Sequence, residues 1–393
     1  MTTPTLTDTH AQVQQWLDEQ HDAMMALFEA IVNIDSNSYD KDGIINVFKR
    51  LEQFFKEHGV AVQWHEHENI KNAISVHIPA SVDNTGGKPI MLMGHCDTVY
   101  PKGETQRRPF RLQDNIAYGP GVADMKAGIA MNAFILAAYA KFGGAHVPLF
   151  GLFTNDEEIG SPTSKFVIEE FARKTGTVFN AEPGRANGDV VTGRKGGIFL
   201  ELEVTGKAAH SGANFAEGIS AISEIAHKTI HLDKLTDIQK GVTVNVGLIS
   251  GGQSVNTSAP SAKCSIDVRV FTLQERDEIL KEIDQIVNTS FVPGTTASLR
   301  IIGEFRPFVK TDASQALFEL YSKSLGELGH STGEQFSGGC ADSGITSSLG
   351  CTTLCATGPV GGKPHTRDEY CEVDTFIPRA KAIVRTISQL YQK

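Results

Sequence analysis

Cysteine is sparse in this chain, with six in 393 residues, at positions 96, 264, 340, 351, 355 and 371. None stands in the CxxC spacing of a zinc ribbon or a redox pair. Buried, reduced thiols are the expectation that follows. Positive charge is short as well: 36 Lys and Arg face 46 Asp and Glu, a net charge of -10, without any dense basic run. That balance excludes a nucleic-acid surface, which needs a basic patch or stripe. Long apolar runs are missing too. No stretch reaches the roughly 20 apolar residues that span a bilayer, and the opening MTTPTLTDTHAQVQQW has neither the basic n-region nor the apolar h-region of a secretory signal. No membrane association is expected, and the cytoplasm is the default location.

What is present is an ordinary globular composition, 40% hydrophobic and 21% charged with 38 Gly, in a chain longer than one hydrophobic core usually serves. Two domains are expected. Amphipathic periodicity predicts helices over 12–33 and 43–58, the second closed by Gly59 as a C-cap. The short apolar runs AVQWHEH, NAISVHIP, PIMLMGH, VPLFGLFT and TVFNAEP then alternate with helical stretches, MKAGIAMNAFILAAYAKF and 164–173, in the pattern of an α/β layered domain.

From residue 196 the order becomes strand (GIFLELEVTG), helix (218–231), two strands (VTVNVGLISGG and AKCSIDVRVF), helix (273–288) and strand (ASLRIIG). This β-α-β-β-α-β order is that of a ferredoxin-like domain, here an insert of about 110 residues, the size of a small domain. A helix (313–328), the loop SGGCADSG, the strand CTTLCAT, the loop GPVGGKPHTRDEY and a helix from Asp374 then complete the first domain. The expected division is a mixed-sheet α/β catalytic domain, 1–195 and 306–393, with 196–305 inserted as a lid. No internal repeat or low-complexity segment interrupts it.

Acids and histidines fall just beyond several apolar strands, the side on which open α/β sheets place their ligands. PIMLMGHCDTVYP sets His95 and Asp97 two apart at a strand end, so both face one side. A histidine oriented by a neighbouring carboxylate is one use of such a pair, and a capped strand end is another. Asp124, in GPGVADMKAGIA, precedes an apolar helix either as a ligand or as an N-cap; the loop lacks the Gly, Lys and Ser/Thr order of a phosphate loop. VPLFGLFTNDEEIGSP delivers Asp156, Glu157 and Glu158 in a row. Like charges so crowded repel unless solvent or a cation relieves them, and adjacent glutamates suit a division in which one binds metal and the other is a general base. Glu182 ends a strand in NAEPG, where Pro183 stops regular sheet. His365, in GPVGGKPHTRDEY, is either a surface histidine or the nitrogen ligand that zinc takes along with carboxylates.

In this order and at these intervals, GHCDTVYP, GPGVADMKAG, TNDEEIGSP, AEP and GGKPHTRDEY resemble the metal-ligand segments of a di-zinc peptidase family. That family contains glutamate carboxypeptidase, acetylornithine deacetylase and succinyl-diaminopimelate desuccinylase. The resemblance spans nearly the whole chain and is nearest to bacterial glutamate carboxypeptidase. It implies a lid that is also a dimerisation domain, and two zinc ions per subunit, with cobalt or manganese tolerated by the same ligand set. His95 and Glu182 would hold one ion, Glu158 and His365 the other, and Asp124 would bridge them. Asp97 would support His95, and Glu157 would be the base. Two cations about 3.5–4 Å apart can activate water and polarise a carbonyl together.

His210, in GKAAHSG of the lid, would act in the active site of the partner subunit of a homodimer, donating to the oxyanion. Asn256, in SVNTSAP, and Arg269, in DVRVF, match positions that bind the substrate's carboxylate, for which a guanidinium fork is suited. Arg306, in FRPF, resembles another substrate-contacting Arg, with a domain-interface ion pair as the alternative. One departure stands out. Glutamate carboxypeptidases use a Lys a few residues after the metal-binding Glu, whereas Glu182 is followed by PGRANGDV, with Arg185 as the only cation before Arg194.

The implied activity is hydrolysis of an amide bond next to a free carboxylate, releasing a C-terminal amino acid such as glutamate from acyl amino acids or short peptides. An N-acyl amino acid deacylase of the acetylornithine or succinyl-diaminopimelate type is the alternative within the class. A metal-binding scaffold without activity is the alternative outside it, and the acid at position 157 argues against it. Gly196-Gly197 and the Arg306 region are the expected hinges.

Overall fold

Four parallel strands form the middle of an eight-stranded sheet in the computed structural model, which describes residues 6–81 and 86–391. They are, side by side, Leu149–Thr154, Ile90–His95, Thr177–Asn180 and Thr352–Cys355. Their register levels His95 with Thr154, and both Met93 and Cys355 with Asn180. Nearly every residue in these strands is buried, which is why they read as unbroken apolar runs. Ile70–Ile78 and Val62–His67 extend the sheet on one side as antiparallel strands, and Val190–Arg194 and Glu334–Ser337 extend it on the other. Residues 1–5, which open the segment MTTPTLTDTHAQVQQW, lie outside the described residues.

The helix Ala127–Lys141 is apolar all round, and every residue from Ala127 to Tyr139 is buried. Gly128 makes its position possible. A Cβ there would stand 1.9 Å from the Ala181 carbonyl oxygen, so the helix backbone approaches the strand end more closely than any side chain permits. With its leading turn, Val122–Lys141 is long and apolar enough to cross a membrane, contrary to expectation, but 94% of its most apolar window is buried inside the protein. It is a core helix.

Two helices, Leu6–Asp18 and His21–Val32, replace the single one expected over 12–33. The chain turns between them, where the N–H groups of Glu19 and Gln20 donate to the carbonyls of Trp16 and Leu17. The next helix, Lys41–Glu57, ends as expected: Gly59 takes φ +73°, Gly59 N–H donates to Lys56 O at 3.0 Å and Val60 N–H to Phe55 O at 2.8 Å, a Schellman closure.

A small antiparallel sheet was not anticipated. It pairs Gly361–Gly362, Tyr370–Glu372, Ile116–Tyr118 and Arg111–Gln113 in that order. Its strands of two or three residues are too short to show a period. It joins the loop that bears His365 to the loop that bears Asp124, and Gly361 packs so tightly that a Cβ would meet Ala123 Cβ at 2.7 Å.

The chain forms two compact units, one of residues 1–193, 310–337 and 345–393, the other of Arg194–Val309 with Gly338–Gly344. The second unit is a four-stranded antiparallel sheet, ordered Thr243–Gly251, Ser261–Val270, Gly196–Thr205, Thr296–Phe305. Burial alternates along Ser261–Val270, and the buried face packs with Ile225 and Leu232 of the helix Ala221–Asp233 and with Ile279 and Ile283 of Leu273–Asn288. Thr272 and Glu275 close the start of the latter in a capping box. Gly338–Gly344 groups with this unit because Arg194 Nη1 donates to the carbonyls of Gly339 and Cys340, both at 3.1 Å, and Arg269 Nη1 donates to Cys340 Sγ at 2.8 Å. All six cysteines are free thiols, five of them buried.

Candidate metal centre

Each central parallel strand hands the chain to a loop that carries a candidate ligand. Ile90–His95 ends on His95, Leu149–Thr154 runs into Asp156, Glu157 and Glu158, Thr177–Asn180 into Glu182, and Thr352–Cys355 into the segment with His365. Parallel strands in register release these loops from one edge of the sheet. Asp124 arrives from the loop before the buried helix.

His95 is the hub. Its Nδ1 donates to Asp97, with the carbonyl oxygen at 3.1 Å and Oδ1 at 3.2 Å. That fixes a proton on Nδ1 and leaves Nε2 as the electron-pair donor when the ring is neutral. Asp124 Oδ1 stands 3.1 Å from Nε2, and Glu157 Oε2 and Glu182 Oε1 each stand 3.8 Å away. Asp124 turns its other oxygen, Oδ2, to His365 Nε2 at 3.5 Å, and the same nitrogen lies 3.0 Å from Glu158 Oε2. In two triads, His95–Asp124–Glu158 and His95–Glu157–Glu182, one ligand atom per residue lies within 4.8 Å of the others. All six residues meet in the first unit, and Asp124 engages two imidazoles rather than capping its helix.

Asp97 has a second task. Fully buried, it accepts the N–H groups of Glu157 at 3.2 Å and Glu158 at 3.1 Å and the Ser38 hydroxyl at 2.6 Å, so it ties His95 to the glutamate pair. Asp156 turns elsewhere. It accepts Thr163 N–H at 2.7 Å, Thr163 Oγ1 at 2.6 Å, Ser164 N–H at 3.2 Å and the Ser164 hydroxyl, just before the helix Lys165–Ala172. The crowding of three acids is relieved by separating them.

Four carboxylates share the cluster with two imidazoles. Burial pushes the Glu158 carboxyl up to about 7, and the Asp124 charge adds to that. Burial also raises Asp124, but hydrogen bonds from His365 and His95 outweigh it and hold the group well below the usual carboxylate range. His365 is pulled up to about 10 by its bonds to Asp124 and Glu158. His95, although burial disfavours its charge, is held well above 6.5 by Glu157, Asp124 and Asp97. The imidazoles can offset at most half of this negative charge, and an oxygen and nitrogen donor set of this kind fits zinc and its first-row neighbours. Cys96 adds no thiolate, since burial pushes it up to about 12.

The remaining candidates are held by other parts of the chain. Arg185 is half-buried in a turn closed by its N–H to Asp189 O at 2.9 Å and by Gly188 N–H to its own carbonyl at 2.7 Å. His210, Asn256, Arg269 and Arg306 belong to the second unit. His210 is exposed, and its Nδ1 accepts the N–H groups of Gly212 and Ala213, both at 3.1 Å, which leaves Nε2–H as a donor. Ser211 N–H donates to the Asn256 carbonyl at 2.9 Å, joining the two loops. Arg269 Nε pairs with Asp267 at 2.9 Å, and Arg306 is half-buried just after the strand Thr296–Phe305.

Sequence reasoning missed Ser38, Tyr100 and Glu369. Glu369 is fully buried and accepts three backbone N–H groups of the Asp124 loop and the Tyr100 hydroxyl. Its signal was slight, an acid four residues after His365 in a loop, where a solvated charge is the ordinary case.

Carboxylates and imidazoles gathered at the edge of a mixed sheet, in a chain with an inserted ferredoxin-like unit, define a metal-dependent hydrolase. The chain belongs to peptidase family M20/M25/M40, whose pattern matches residues 91–389. It is similar to carboxypeptidase G2 of Pseudomonas sp. (strain RS-16), 28% identical over 378 residues that cover 95% of this chain and 90% of the relative. It is 25% identical over 404 residues to acetylornithine deacetylase of Edwardsiella ictaluri (strain 93-146), covering 96% and 100% of the two chains. Among solved structures, an M20 family metallo-carboxypeptidase from Sulfolobus solfataricus shares the fold, with a TM-score of 0.74, 17% identity, and 93% and 98% of the two chains covered.

Proposed function

We propose that this protein is a two-zinc carboxypeptidase that hydrolyses the amide bond next to a free carboxylate in acyl amino acids or short peptides, with glutamate as the model C-terminal residue. The observation that carries the reading is the placement of Asp124, one oxygen toward His95 and the other toward His365. In it, His95 and Glu182 would hold one ion and His365 and Glu158 the other, with Asp124 available to both through its two oxygens. When bound, the pair supplies Lewis-acid polarisation of the carbonyl and a water acidic enough to lose a proton near neutral pH.

The protein's own groups do the rest. Glu157, tethered through its N–H to Asp97, accepts the water proton at its carboxylate and returns it to the leaving amine nitrogen. Geometry alone also groups Glu157 with His95 and Glu182; the family resemblance supports the reading of Glu157 as the base and Glu158 as the ligand. His210 Nε2–H, from the partner subunit of a homodimer, donates to the carbonyl oxygen as negative charge develops there. Arg269, with Asn256, is the candidate receptor of the substrate carboxylate, and Arg306 and Arg185 are further candidates for substrate contact.

The name carboxypeptidase borne by the Pseudomonas relative supports this choice. The absence of a Lys in the few residues directly after Glu182, PGRANGDV, favours a second reading, an N-acyl amino acid deacylase. Hydrolysis of N-acyl glutamates, acetylornithine and their C-terminal amides separates the two. Carboxypeptidase action predicts turnover across several acyl groups that is lost on amidation, whereas turnover confined to one small acyl group would establish the deacylase.

A further inference from the structure

We infer that Glu369 and Tyr100 are positioning residues of the metal centre, a buried clamp that sets Asp124 and His365 from behind. The inference rests on the two-metal reading above. Buried N–H groups require acceptors, and the loop that presents Asp124 has non-helical backbone at Asp124 and Met125, so a regular helix does not supply them all. Glu369 does. Its Oε1 accepts the N–H groups of Ala123 at 2.9 Å and Asp124 at 3.0 Å, and its Oε2 accepts that of Gly121 at 3.1 Å. Bonds to a charged acceptor are stronger than neutral ones, so the backbone of Asp124 is held by a side chain rather than by its own helix.

Tyr100 carries the same clamp to the other loop. Its hydroxyl lies 2.6 Å from Glu369 Oε2 and 2.8 Å from the carbonyl of Thr366, the residue after His365. Arg108 stands over the Tyr100 ring at 4.9 Å and donates through Nη1 to the carbonyl of Arg367 at 2.9 Å. The backbone on the C-terminal side of His365 and the backbone at Asp124 are therefore fastened to one Tyr–Glu pair. Neither clamp residue is among the six that face the cluster. Their effect is to fix the separation of Asp124 and His365, 3.5 Å in this structure.

Binding of Co2+ by the metal-stripped protein provides the test, read as affinity by chelator competition and as the visible spectrum of the bound ion, beside the melting temperature of the metal-free form. The wild-type protein is expected to bind two ions. Glu369→Gln, which turns an acceptor into a donor facing N–H groups, is expected to weaken binding by about 10–100-fold, the usual effect of losing a partner behind a metal ligand. Tyr100→Phe is expected to weaken it less, in the same direction, and to alter the spectrum, with the metal-free melting temperature little changed. Should Glu369→Gln fail to fold, Tyr100→Phe decides. Wild-type affinity and spectrum in the folded variants would overturn the clamp while leaving the two-metal reading intact. Failure of the wild-type protein to bind Co2+ would overturn both.

Discussion

His365 Nε2 lies 3.0 Å from Glu158 Oε2, although the strands that lead to these residues are not neighbours. Leu149–Thr154 and Thr352–Cys355 are separated in the sheet by Ile90–His95 and Thr177–Asn180. The contact joins loops from the two outer parallel strands, and the two strands between them lead to His95 and Glu182. His365 has a half-exposed side chain (52%), so its removal leaves no buried cavity. His365→Ala is expected to fold with a melting temperature near that of the wild type and to retain one of two metal equivalents on elemental analysis. Two retained equivalents would remove His365 from the ligand set.

Glu157 and Glu158 are adjacent, and the proposal gives them different tasks. Loss of a general base costs roughly 10²–10⁴-fold in kcat. Glu157→Gln is therefore expected to lose activity on that scale with both metal equivalents retained. A variant that instead loses a metal equivalent would mark Glu157 as a ligand and transfer the search for the base elsewhere.

The role of His210 is open to a mixing experiment. Glu157→Gln and His210→Ala are each expected to be nearly inactive, yet in a mixed dimer one of the two sites would combine an intact Glu157 with the partner's intact His210. Random exchange of subunits gives half mixed dimers, so recovery of about a quarter of wild-type activity is expected for a twofold dimer. No recovery after denaturation and joint refolding would confine His210 to its own subunit's site or to none.

Acid stability follows from His10. Burial, aided by the nearby His146, depresses its imidazole to about 4 against 6.5 in the unfolded chain. On acidification the unfolded state takes up the proton first, so the stability from the neutral ring is complete above pH 6.5 and is lost as pH falls toward 4. Between pH 7.5 and 5 the loss is about 2 kcal/mol for such a shift. Urea unfolding of the metal-free protein at these two pH values should show a fall about that much larger in the wild type than in His10→Gln. Equal falls would show that His10 is not the group responsible.

Much of this architecture was legible because the relevant signals are local. The helix Leu273–Asn288 begins at the Thr272–Glu275 capping box, and the parallel strands read as apolar runs because both their faces are covered. The acids and histidines past those strands could be listed, but their convergence depends on strand order, which no local pattern carries. The break between Leu6–Asp18 and His21–Val32 was lost because both helices are apolar on the side that packs into the same core. Asp156 could not be told from its neighbours, since its partners, Thr163 and Ser164, are chosen by the turn that follows. Glu369 was invisible for a related reason: its partners are mostly backbone N–H groups, which every sequence has. The grouping of Gly338–Gly344 with the second unit likewise depends on two arginines distant in the chain.

The central claim, that two metal ions held by His95, Glu182, Asp124, Glu158 and His365 enable amide hydrolysis, is tested most directly by titrating the chelator-stripped protein with Zn2+ while following release of glutamate from an N-acyl glutamate. The account predicts no turnover without metal and a rise in activity that levels off at two equivalents per chain. Turnover that persists in the stripped protein, or activity that saturates at a single equivalent, would contradict it.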